Sequence, residues 1–413
     1  MNSQHTDIAI IGAGPAGATM ATLLADRGWR VTVLERSHFP RFAVGESLLP
    51  RCMDALAGAG MLQAVENAGY QIKRGVTFSE NDRDASFTFD DQFTPGWSWT
   101  WQVQRADFDH RLALEAERRG AALRFGQTVA SVDFATPGAP QLTIAADDGT
   151  RTELAARFVC DASGSARVLP RLLGLDRPGS APSRAALFTH VADHIDDPDY
   201  QRDRILIGIH PEQPDVWYWL IGLADGRASV GMIAPPEWLQ AADGPPVDRL
   251  RHFLAQEPRL ARLLAHAEFD SRVGQTENYA YDIAALHGRD YALLGNAAGF
   301  VDPIFSSGVT IALESALRAV EPIDAQLRGA APDWQTRFEG PIRDGQRVFT
   351  RFIAAWYRGA LKHVLFNPAP DPAIRTMLSS ILAGYVWDTN NPYVAGPERR
   401  LDTLCRLCAP ASS

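Results

Sequence analysis

The segment DIAIIGAGPAG at residues 7–17 decides the fold of this chain. It opens with a short, apolar, branched run, Asp7–Ile11, which is typical of a buried parallel strand, and it continues with glycines in the pattern G-x-G-x-x-G. A helix-like stretch, Ala18–Arg27, then leads to a second strand, Arg30–Glu35, whose last residue is acidic. In such a unit the glycines let backbone N–H groups approach a pyrophosphate at a helix N-terminus, and the acid accepts a hydrogen bond from a ribose hydroxyl. These features together predict a dinucleotide-binding unit.

Composition narrows the class of protein. The chain has 413 residues, of which 46% are hydrophobic and 22% charged, as in ordinary globular proteins. Its formal charge of −9 argues against a nucleic-acid partner. Four cysteines are too few for a disulfide scaffold, and no apolar run reaches the ~18 residues of a membrane span. We therefore expect a soluble, cytoplasmic enzyme.

The cations of this chain are almost all arginines. Lysine and arginine total 40, and only Lys73 and Lys362 are lysines. Arginine stays protonated in proteins, whereas a lysine amine in a suitable environment loses its proton. We therefore expect Lys73 to serve a role that needs an amine. Lys362 lies in a helix-like stretch without a motif, and we expect it on the solvated surface.

The rest of the chain alternates between strand-like and helix-like segments. An amphipathic helix is predicted at Arg105–Arg119, another helix begins at Val309, and the chain is mostly helical beyond Asp333. Strands are predicted at Leu123–Phe125, Val129–Phe134, Gln141–Ala145, Thr152–Cys160, Leu187–His190, Ile205–Ile209, Val216–Leu223, Ala228–Ile233 and Tyr291–Gly295. The nucleotide-binding half is therefore expected to be assembled from separated segments of the chain.

Several motifs in a fixed order resemble flavoprotein monooxygenases and their relatives. Besides the glycine turn, they are FPRFAVGES at residues 39–47, VQRADFD at residues 103–109 and GNAAGFVDP at residues 295–303. Asn296 stands where the family usually has an aspartate, so a charge is missing there. Because an amide still hydrogen-bonds a ribityl or phosphate oxygen, we expect binding of the cofactor to survive.

Three further blocks resemble flavin-dependent halogenases in particular. GYQIKRGVTF at residues 69–78 resembles the family pattern G-F-x-x-K-x-G-A-x-F, with departures at its second and eighth positions. WYWLIG at residues 217–222 matches W-x-W-x-I-P except that Gly222 replaces the proline, which we expect to loosen the turn after this strand. DPIFSSGV at residues 302–309 is like D-P-x-F-S-S-G-V. The resemblance runs from about residue 5 to residue 325.

This resemblance implies an α/β fold. Its parts are a FAD-binding Rossmann-like domain similar to that of aromatic hydroxylases, an inserted β-sheet substrate domain and a helical C-terminal tail. We expect a discontinuous FAD-binding domain at 1–70, 103–175 and 285–330, a strand-rich substrate domain at 71–102 and 176–284, and a mainly helical region at 331–413.

The resemblance also implies which residues bind FAD. The glycine turn would hold the pyrophosphate, Glu35 the adenosine ribose, and Val129 the adenine through its backbone. The expected FAD-binding residues are Gly12, Ala13, Gly14, Pro15, Ala16, Gly17, Glu35, Arg36, Arg41, Ser47, Arg105, Val129, Asn296, Pro303, Gly308 and Val309. No metal site is expected, because the histidines and cysteines show no ligand spacing.

The implied reaction uses reduced FAD, O2 and chloride or bromide to form hypohalous acid, which Lys73 then receives. Ser307 and Gly308 would present backbone N–H groups to the halide. Trp217 and Trp219 lie at i and i+2 of a strand, so both rings point to one face and would form a wall between flavin and substrate. Lys73, Trp217 and Trp219 are therefore the expected catalytic residues. Because the chain has no second G-x-G-x-x-G unit, a separate flavin reductase is expected to supply reduced FAD.

Several alternatives stay open at the level of sequence. The halogenase would act on a phenol or pyrrole, free or tethered to an acyl carrier protein. The competing activities are an aromatic hydroxylase, a flavin-dependent double-bond reductase, and a FAD-binding partner without activity. Trp97, Trp99 and Trp101 line a substrate cavity or belong to a core. Cys405 and Cys408 have redox-motif spacing but lie in a helix-like tail, which favours two ordinary cysteines.

Overall fold

The computed structural model describes residues 4–81, 83–179, 182–277 and 281–410. Its strands are β1 (Gln4–His5), β2 (Ile8–Ile11), β3 (Val31–Glu35), β4 (Gln71–Lys73), β5 (Gly75–Glu80), β6 (Arg83–Thr88), β7 (Thr100–Gln102), β8 (Ala122–Phe125), β9 (Gln127–Asp133), β10 (Gln141–Ala146), β11 (Arg151–Ala155), β12 (Phe158–Asp161), β13 (Asp176–Pro178), β14 (Ala185–Ala192), β15 (Arg204–Ile209), β16 (Trp217–Gly222), β17 (Arg227–Ala234), β18 (Gly274–Glu277), β19 (Tyr281–Ile283), β20 (His287–Gly288) and β21 (Tyr291–Leu293).

The α-helices are α1 (Pro15–Ala25), α2 (Arg51–Gly58), α3 (Leu62–Glu66), α4 (Arg105–Arg118), α5 (Val168–Leu173), α6 (Pro236–Gln240), α7 (Pro246–Leu254), α8 (Pro258–Leu263), α9 (Gly308–Leu327), α10 (Gly340–Tyr357), α11 (Ala360–Leu365), α12 (Pro372–Leu382), α13 (Pro392–Ala395) and α14 (Pro397–Cys408). Short helical turns of 3-10 or π type connect several of them. No helix in these described ranges is long and apolar enough to cross a membrane.

A six-stranded sheet forms the nucleotide-binding half. Its order is β20-β21-β12-β2-β3-β8, and the strands from β21 to β8 are parallel. Strand β2 lies in the middle and is fully buried, which explains its continuous apolar run. Helix α1 follows it directly and packs against α4 and α9. The predicted strand–helix–strand unit is therefore confirmed.

A seven-stranded sheet forms the second half, in the order β18-β14-β17-β16-β15-β5-β6. Its side chains alternate between two cores, as the period of two demands. Trp217 and Trp219 face a core shared with the C-terminal helices α10, α11, α12 and α14, whereas Tyr218 and Leu220 face a core closed by α7 and α8. The mostly helical region beyond Asp333 is thus confirmed and packs against this sheet.

Two predictions of secondary structure are wrong. The apolar stretch Thr152–Cys160 is not one strand but two, because the chain leaves β11 at Ala155 and re-enters a different sheet as β12 at Phe158. Helices α6, α7 and α8 were not predicted in the strand-rich region. Each is short and has proline at its N-terminus, where the missing N–H and the fixed φ of proline suit the first turn of a helix.

Candidate active site

The glycine turn between β2 and α1 is too tight for side chains. Gly12 has φ +98°, and a Cβ there would lie 2.6 Å from the carbonyl oxygen of Ala162. A Cβ on Gly17 would lie 1.9 Å from the carbonyl oxygen of Gly12. No side chain caps the N-terminus of α1. Since the first N–H groups of a helix have no partner within it, this turn fits a pyrophosphate.

Glu35 at the end of β3 is held in place beside this turn. Its Oε2 accepts the N–H of Ala13 at 2.9 Å, and its Oε1 accepts the N–H of Ser37 at 2.9 Å. The side chain is buried but lines the same cavity as the glycine turn. A ribose hydroxyl entering the cavity would therefore meet an oriented carboxylate.

A cavity of about 700 Å³ starts at the glycine turn. Most of the predicted site residues line it, namely Gly12, Gly14, Pro15, Ala16, Glu35, Arg36, Arg41, Ser47, Arg105, Val129, Trp217, Trp219, Asn296, Pro303, Gly308 and Val309. Ala13, Gly17, Lys73 and Ser307 are not on its wall. Ala13 and Gly17 shape the turn instead, and Ser307 precedes the helix whose first residues reach the wall.

The far end of the cavity lies on the seven-stranded sheet and is apolar. The rings of Trp217 and Trp219 share one face with centroids 6.0 Å apart, which confirms the common face expected from their spacing. The Nε1–H of Trp217 donates to the hydroxyl of Tyr357 at 3.0 Å, and that of Trp219 donates to Oγ of Ser229 at 3.1 Å. The remaining wall here is formed by Ala186, Phe188, Ile205, Ile207, Ile221 and Ile233.

The segment from Asp302 to Gly308 turns into helix α9 beside the cavity. Ser306 adopts a left-handed conformation, φ +56°, that ends the 3-10 turn Pro303–Phe305 before α9 begins. The next residue, Ser307, has a buried hydroxyl without a hydrogen-bond partner among the described residues, and no side chain caps α9. Helix α9 has 20 residues, and its aligned peptide dipoles leave partial positive charge at this end. The turn therefore suits a small anion.

Lys73 is buried in an apolar setting, with 1% of its surface exposed. Its Nζ donates to the carbonyl oxygen of Leu48 at 2.8 Å and lies 5.4 Å from the centre of the Phe89 ring. Within the described ranges no carboxylate forms an ion pair with it. Burial lowers the pKa of this amine to about 7, so the charged and neutral forms coexist near neutral pH.

The neighbours of Lys73 connect it to the cavity wall and to the first turn of α9. Its hydrogen-bond acceptor, Leu48, directly follows Ser47 on the wall. Its charge interacts with Cys52, whose Sγ lies 3.1 Å from Oγ1 of Thr310 in α9. Lys73 itself is not on the cavity wall, and its hydrogen-bond acceptor is the residue next to Ser47 on that wall.

Comparison with known proteins decides the family. The sequence profile of the FAD binding domain family matches residues 5–337. A 1H-pyrrole-2-carbonyl-[peptidyl-carrier protein] chlorinase from Pseudomonas fluorescens (strain Pf-5) is 30% identical over 415 aligned residues, which cover 94% of this chain and 91% of that protein. The chain belongs to the flavin-dependent halogenases.

Two further similarities span nearly the whole chain. A 1H-pyrrole-2-carbonyl-[peptidyl-carrier protein] brominase from Pseudoalteromonas luteoviolacea is 28% identical, with 92% of each chain covered. The crystal structure of a flavoprotein/dehydrogenase from Cytophaga hutchinsonii is 40% identical, with a TM-score of 0.95 and coverage of 98% of this chain and 99% of that one. This halogenase-family chain therefore has full-length relatives, and its cofactor is FAD.

The prediction that Lys362 lies on the solvated surface is wrong. Only 6% of its surface is exposed, and its Nζ donates to the carbonyl oxygen of Pro214 at 2.7 Å. It lies 5.4 Å from the centre of the Trp356 ring and 4.0 Å from a carboxylate oxygen of Glu80. The helix period places this face of α11 inward, against a sheet that the local sequence does not reveal.

The prediction that Gly222 loosens its turn is also wrong for this halogenase-family chain. Gly222 is buried at the end of β16, and a Cβ there would lie 2.7 Å from Cγ of Arg202. The Arg202 guanidinium fills this space, donating to the carbonyl oxygen of Leu223 at 3.0 Å and to both carboxylate oxygens of Asp193. These contacts therefore hold the turn in place.

The tryptophan run that ends within β7 belongs to the core of the nucleotide-binding half. Trp97, Trp99 and Trp101 contact each other edge to face, with successive centroids 5.4 Å apart, and none lines the cavity. Cys405 and Cys408 are free thiols, as predicted. No group of His, Cys, Asp or Glu in the described ranges is arranged to hold a metal ion.

Sequence reasoning missed the role of one acidic residue that organises the site, Asp109. Asp109 is fully buried and holds Arg105 at 2.7 Å and Arg41 at 3.2 Å, so one carboxylate orients two of the three arginines on the cavity wall. Arg105 in turn donates to the carbonyl oxygen of Val44 at 3.0 Å. Glu46 is fully buried beside His190, 2.8 Å away. Asp109 lies one helical turn after Arg105, so the i, i+4 spacing was the available signal.

Proposed function

We propose that this chain uses reduced FAD, O2 and chloride or bromide to halogenate an electron-rich aromatic, a phenol or a pyrrole, through hypohalous acid received by Lys73. When bound, reduced FAD together with O2 oxidises halide to hypohalous acid and water, and hypohalous acid exchanges its halogen for an aromatic proton with release of a second water. Family membership and the geometry of Lys73 support this proposal.

The observation that carries the proposal is the environment of Lys73. It is buried with no carboxylate partner among the residues that the structure describes, and its pKa is lowered to about 7 by burial. The neutral amine accepts halogen to form a chloramine or bromamine, while the ammonium donates a hydrogen bond that polarises hypohalous acid. An arginine in the same place would stay charged and could only polarise. The chain uses arginine at 38 of its 40 basic positions, so the lysine here is a specific choice.

The other residues of the site would bind the halide, separate the substrate from the flavin and leave few groups that an oxidant attacks. Ser307 and Gly308 at the start of α9 would hold the halide through backbone N–H groups. Trp217 and Trp219 would keep substrate away from the flavin ring. None of the described residues on the cavity wall is a cysteine, methionine, histidine, tyrosine or lysine. An oxidant formed there therefore meets no thiol or thioether, the groups that are oxidised most readily.

The proposal extends to partners and to domain organisation. We propose that a separate flavin reductase supplies reduced FAD and that the aromatic is free or held on a carrier protein. Two relatives, a chlorinase and a brominase of pyrrole-2-carbonyl on a peptidyl-carrier protein, support the carrier-bound form. The two large sheets support the proposed division, because all strands of the six-stranded sheet fall within 1–70, 103–175 and 285–330, and all strands of the seven-stranded sheet fall within 71–102 and 176–284.

The test compares two lysine variants. Purified protein is incubated with FAD, a flavin reductase, NADH, O2 and bromide, and with phenolic and pyrrolic acceptors either free or loaded on a carrier protein. Lys73→Met should lower the brominated product by at least about 100-fold, the scale of a lost acid–base group, while FAD stays bound. Lys362→Met is the matched control, because Lys362 is also buried, also donates to a backbone carbonyl and also lies 5.4 Å from an aromatic ring centre. Equal activity of the Lys73→Met and Lys362→Met proteins would contradict the proposal.

A second candidate is reduction or hydroxylation of a substrate within the cavity itself. The observation in its favour is that the cavity runs from the glycine turn to an aliphatic wall of isoleucines, while Lys73 lies off that wall. A product heavier by one oxygen would indicate hydroxylation, and one heavier by two hydrogens would indicate reduction of a double bond. Either result without bromination would replace the leading proposal.

A further inference from the structure

Tyr357 joins two parts of the site that are far apart in sequence. It is the last residue of α10, beyond the segment that matches the FAD-binding profile. Its hydroxyl accepts the Nε1–H of Trp217 at 3.0 Å and donates to Oδ2 of Asp302 at 2.9 Å. A single oxygen atom therefore connects the tryptophan wall to the turn that leads into α9.

Asp302 fixes the other end of this connection. Its Oδ1 accepts the N–H of Ile304 at 3.1 Å, which closes the turn before Ser307. The charged and titratable groups that face it are Tyr357 and Arg184. Arg184 is buried, lies 4.4 Å from the centre of the Tyr357 ring and pairs with Asp215 at 3.4 Å. Burial raises the pKa of Asp302 to about 6, so its carboxylate is ionised at neutral pH.

The direction of each hydrogen bond follows from the chemistry of the groups. An ionised carboxylate only accepts and an indole N–H only donates, so the Tyr357 hydroxyl gives its proton to Asp302 and accepts from Trp217. A hydrogen bond to a charged group is stronger than a neutral one and polarises the next bond in a chain. The ionised Asp302 thus holds the indole of Trp217 through Tyr357.

We propose that Tyr357 is a positioning residue that holds the Trp217 wall at a fixed place relative to the turn at Asp302–Gly308. Its catalytic consequence rests on the proposed halogenase function, because that turn would hold the halide and Trp217 would separate flavin from substrate. The C-terminal helix α10 is then part of the active site. Without the hydroxyl the indole of Trp217 and the turn at Asp302 are no longer held at a fixed place relative to each other.

The test uses Tyr357→Phe with Tyr385→Phe as its control. Tyr385 is also in the C-terminal region and also donates to a carboxylate, Asp54, at 2.9 Å, but it does not line the cavity. The first readout is the indole N–H signal of Trp217 in ¹⁵N NMR, assigned with Trp217→Phe. In the wild-type protein this signal should shift with a midpoint near pH 6 as Asp302 titrates. In Tyr357→Phe the Trp217 signal should no longer titrate. The indole signal of Trp219, which donates to Ser229, should be unchanged in Tyr357→Phe and in Tyr385→Phe.

The second readout is kinetic. Tyr357→Phe should raise the KM for bromide about tenfold or more, the scale of one lost hydrogen bond to a charged group, and should raise the share of O2 released as peroxide. FAD affinity should not change, and Tyr385→Phe should behave like the wild-type protein. Asp302→Asn serves as a second variant, in which the Trp217 signal should be present but should not titrate.

The outcomes separate the two proposals. If the wild-type protein produces no brominated compound but the Trp217 signal titrates only when Tyr357 has its hydroxyl, the function is wrong and the positioning contact stands. If the Trp217 signal still titrates in Tyr357→Phe, the inference is overturned. Equal kinetic losses in Tyr357→Phe and Tyr385→Phe would also overturn it, since they would indicate a general structural effect.

Discussion

The titration of Lys73 is the property of this protein that most directly connects its structure to its chemistry. Raising the pH through neutrality should remove the proton from this amine, because burial lowers its pKa from 10.5 to about 7. A shift of this size corresponds to about 5 kcal/mol of penalty on the buried ammonium relative to a solvated one. No ion pair in the described ranges offsets that penalty.

The sign of the effect on stability follows from the two pKa values. Between about pH 7 and pH 10.5 the unfolded chain binds this proton and the folded chain does not, so the free energy of unfolding rises with pH by about 1.4 kcal/mol per unit. Lys73→Met removes the titration. The variant should therefore lose its advantage as the pH rises. Its free energy of unfolding minus that of the wild-type protein should fall by about 3 kcal/mol between pH 7 and pH 9.5, as measured by urea denaturation.

The direct assay is ¹³C NMR of protein labelled at the lysine Cε. Since the chain has two lysines, the spectrum should contain two signals, and Lys362→Arg assigns them. The Lys73 signal should titrate with a midpoint near pH 7. A midpoint near pH 10 would mean that solvent reaches the amine, and the argument from burial to a neutral nucleophile would be refuted.

Three further predictions concern the cofactor site and the wall. Gly17→Ala should lower FAD affinity at least about 100-fold, because its Cβ would meet a backbone oxygen, whereas Gly58→Ala, with its nearest neighbour at 3.8 Å, should bind FAD normally in a fluorescence titration. Gly222→Pro should destabilise the protein by about 3 kcal/mol or more, because the ring would collide with Arg202; an unchanged Tm would contradict the packing described. Asp109→Asn should weaken FAD binding about tenfold by releasing the two arginines that this carboxylate orients; unchanged affinity in the same titration would show that the arginines need no anchor.

The nucleotide-binding unit was predictable because its signals are local. The tight turn needs glycine at positions where a side chain would collide with backbone, and the acid at the end of the next strand is fixed by the length of one helix and one strand. The common face of Trp217 and Trp219 follows in the same way from the period of a strand. These predictions depend on neighbours within about 30 residues, and the structure confirms them.

The wrong predictions share a different cause. Thr152–Cys160 reads as one apolar strand, but each half pairs with a different sheet, and sheet membership is set by distant strands. Lys362 lies in a stretch without a motif, but the folded chain buries its amine against the carbonyl oxygen of Pro214 and within 4.0 Å of Glu80 at the end of β5. The local sequence pattern does not indicate which strand a segment pairs with or which residues surround a side chain.

The amino-acid sequence specifies the cofactor class, the family and the candidate residues of the site, because backbone geometry at a glycine turn and side-chain period act over a few residues. The state of those residues is a property of the folded chain. Lys73 and Lys362 are both buried beside an aromatic ring. Among the described residues, Lys362 has a carboxylate within 4.0 Å, that of Glu80, and Lys73 has none. Trp217 is held by Tyr357, 140 positions away. Desolvation and hydrogen bonding depend on what surrounds an atom in space, and folding brings together residues whose separation along the chain carries no such information.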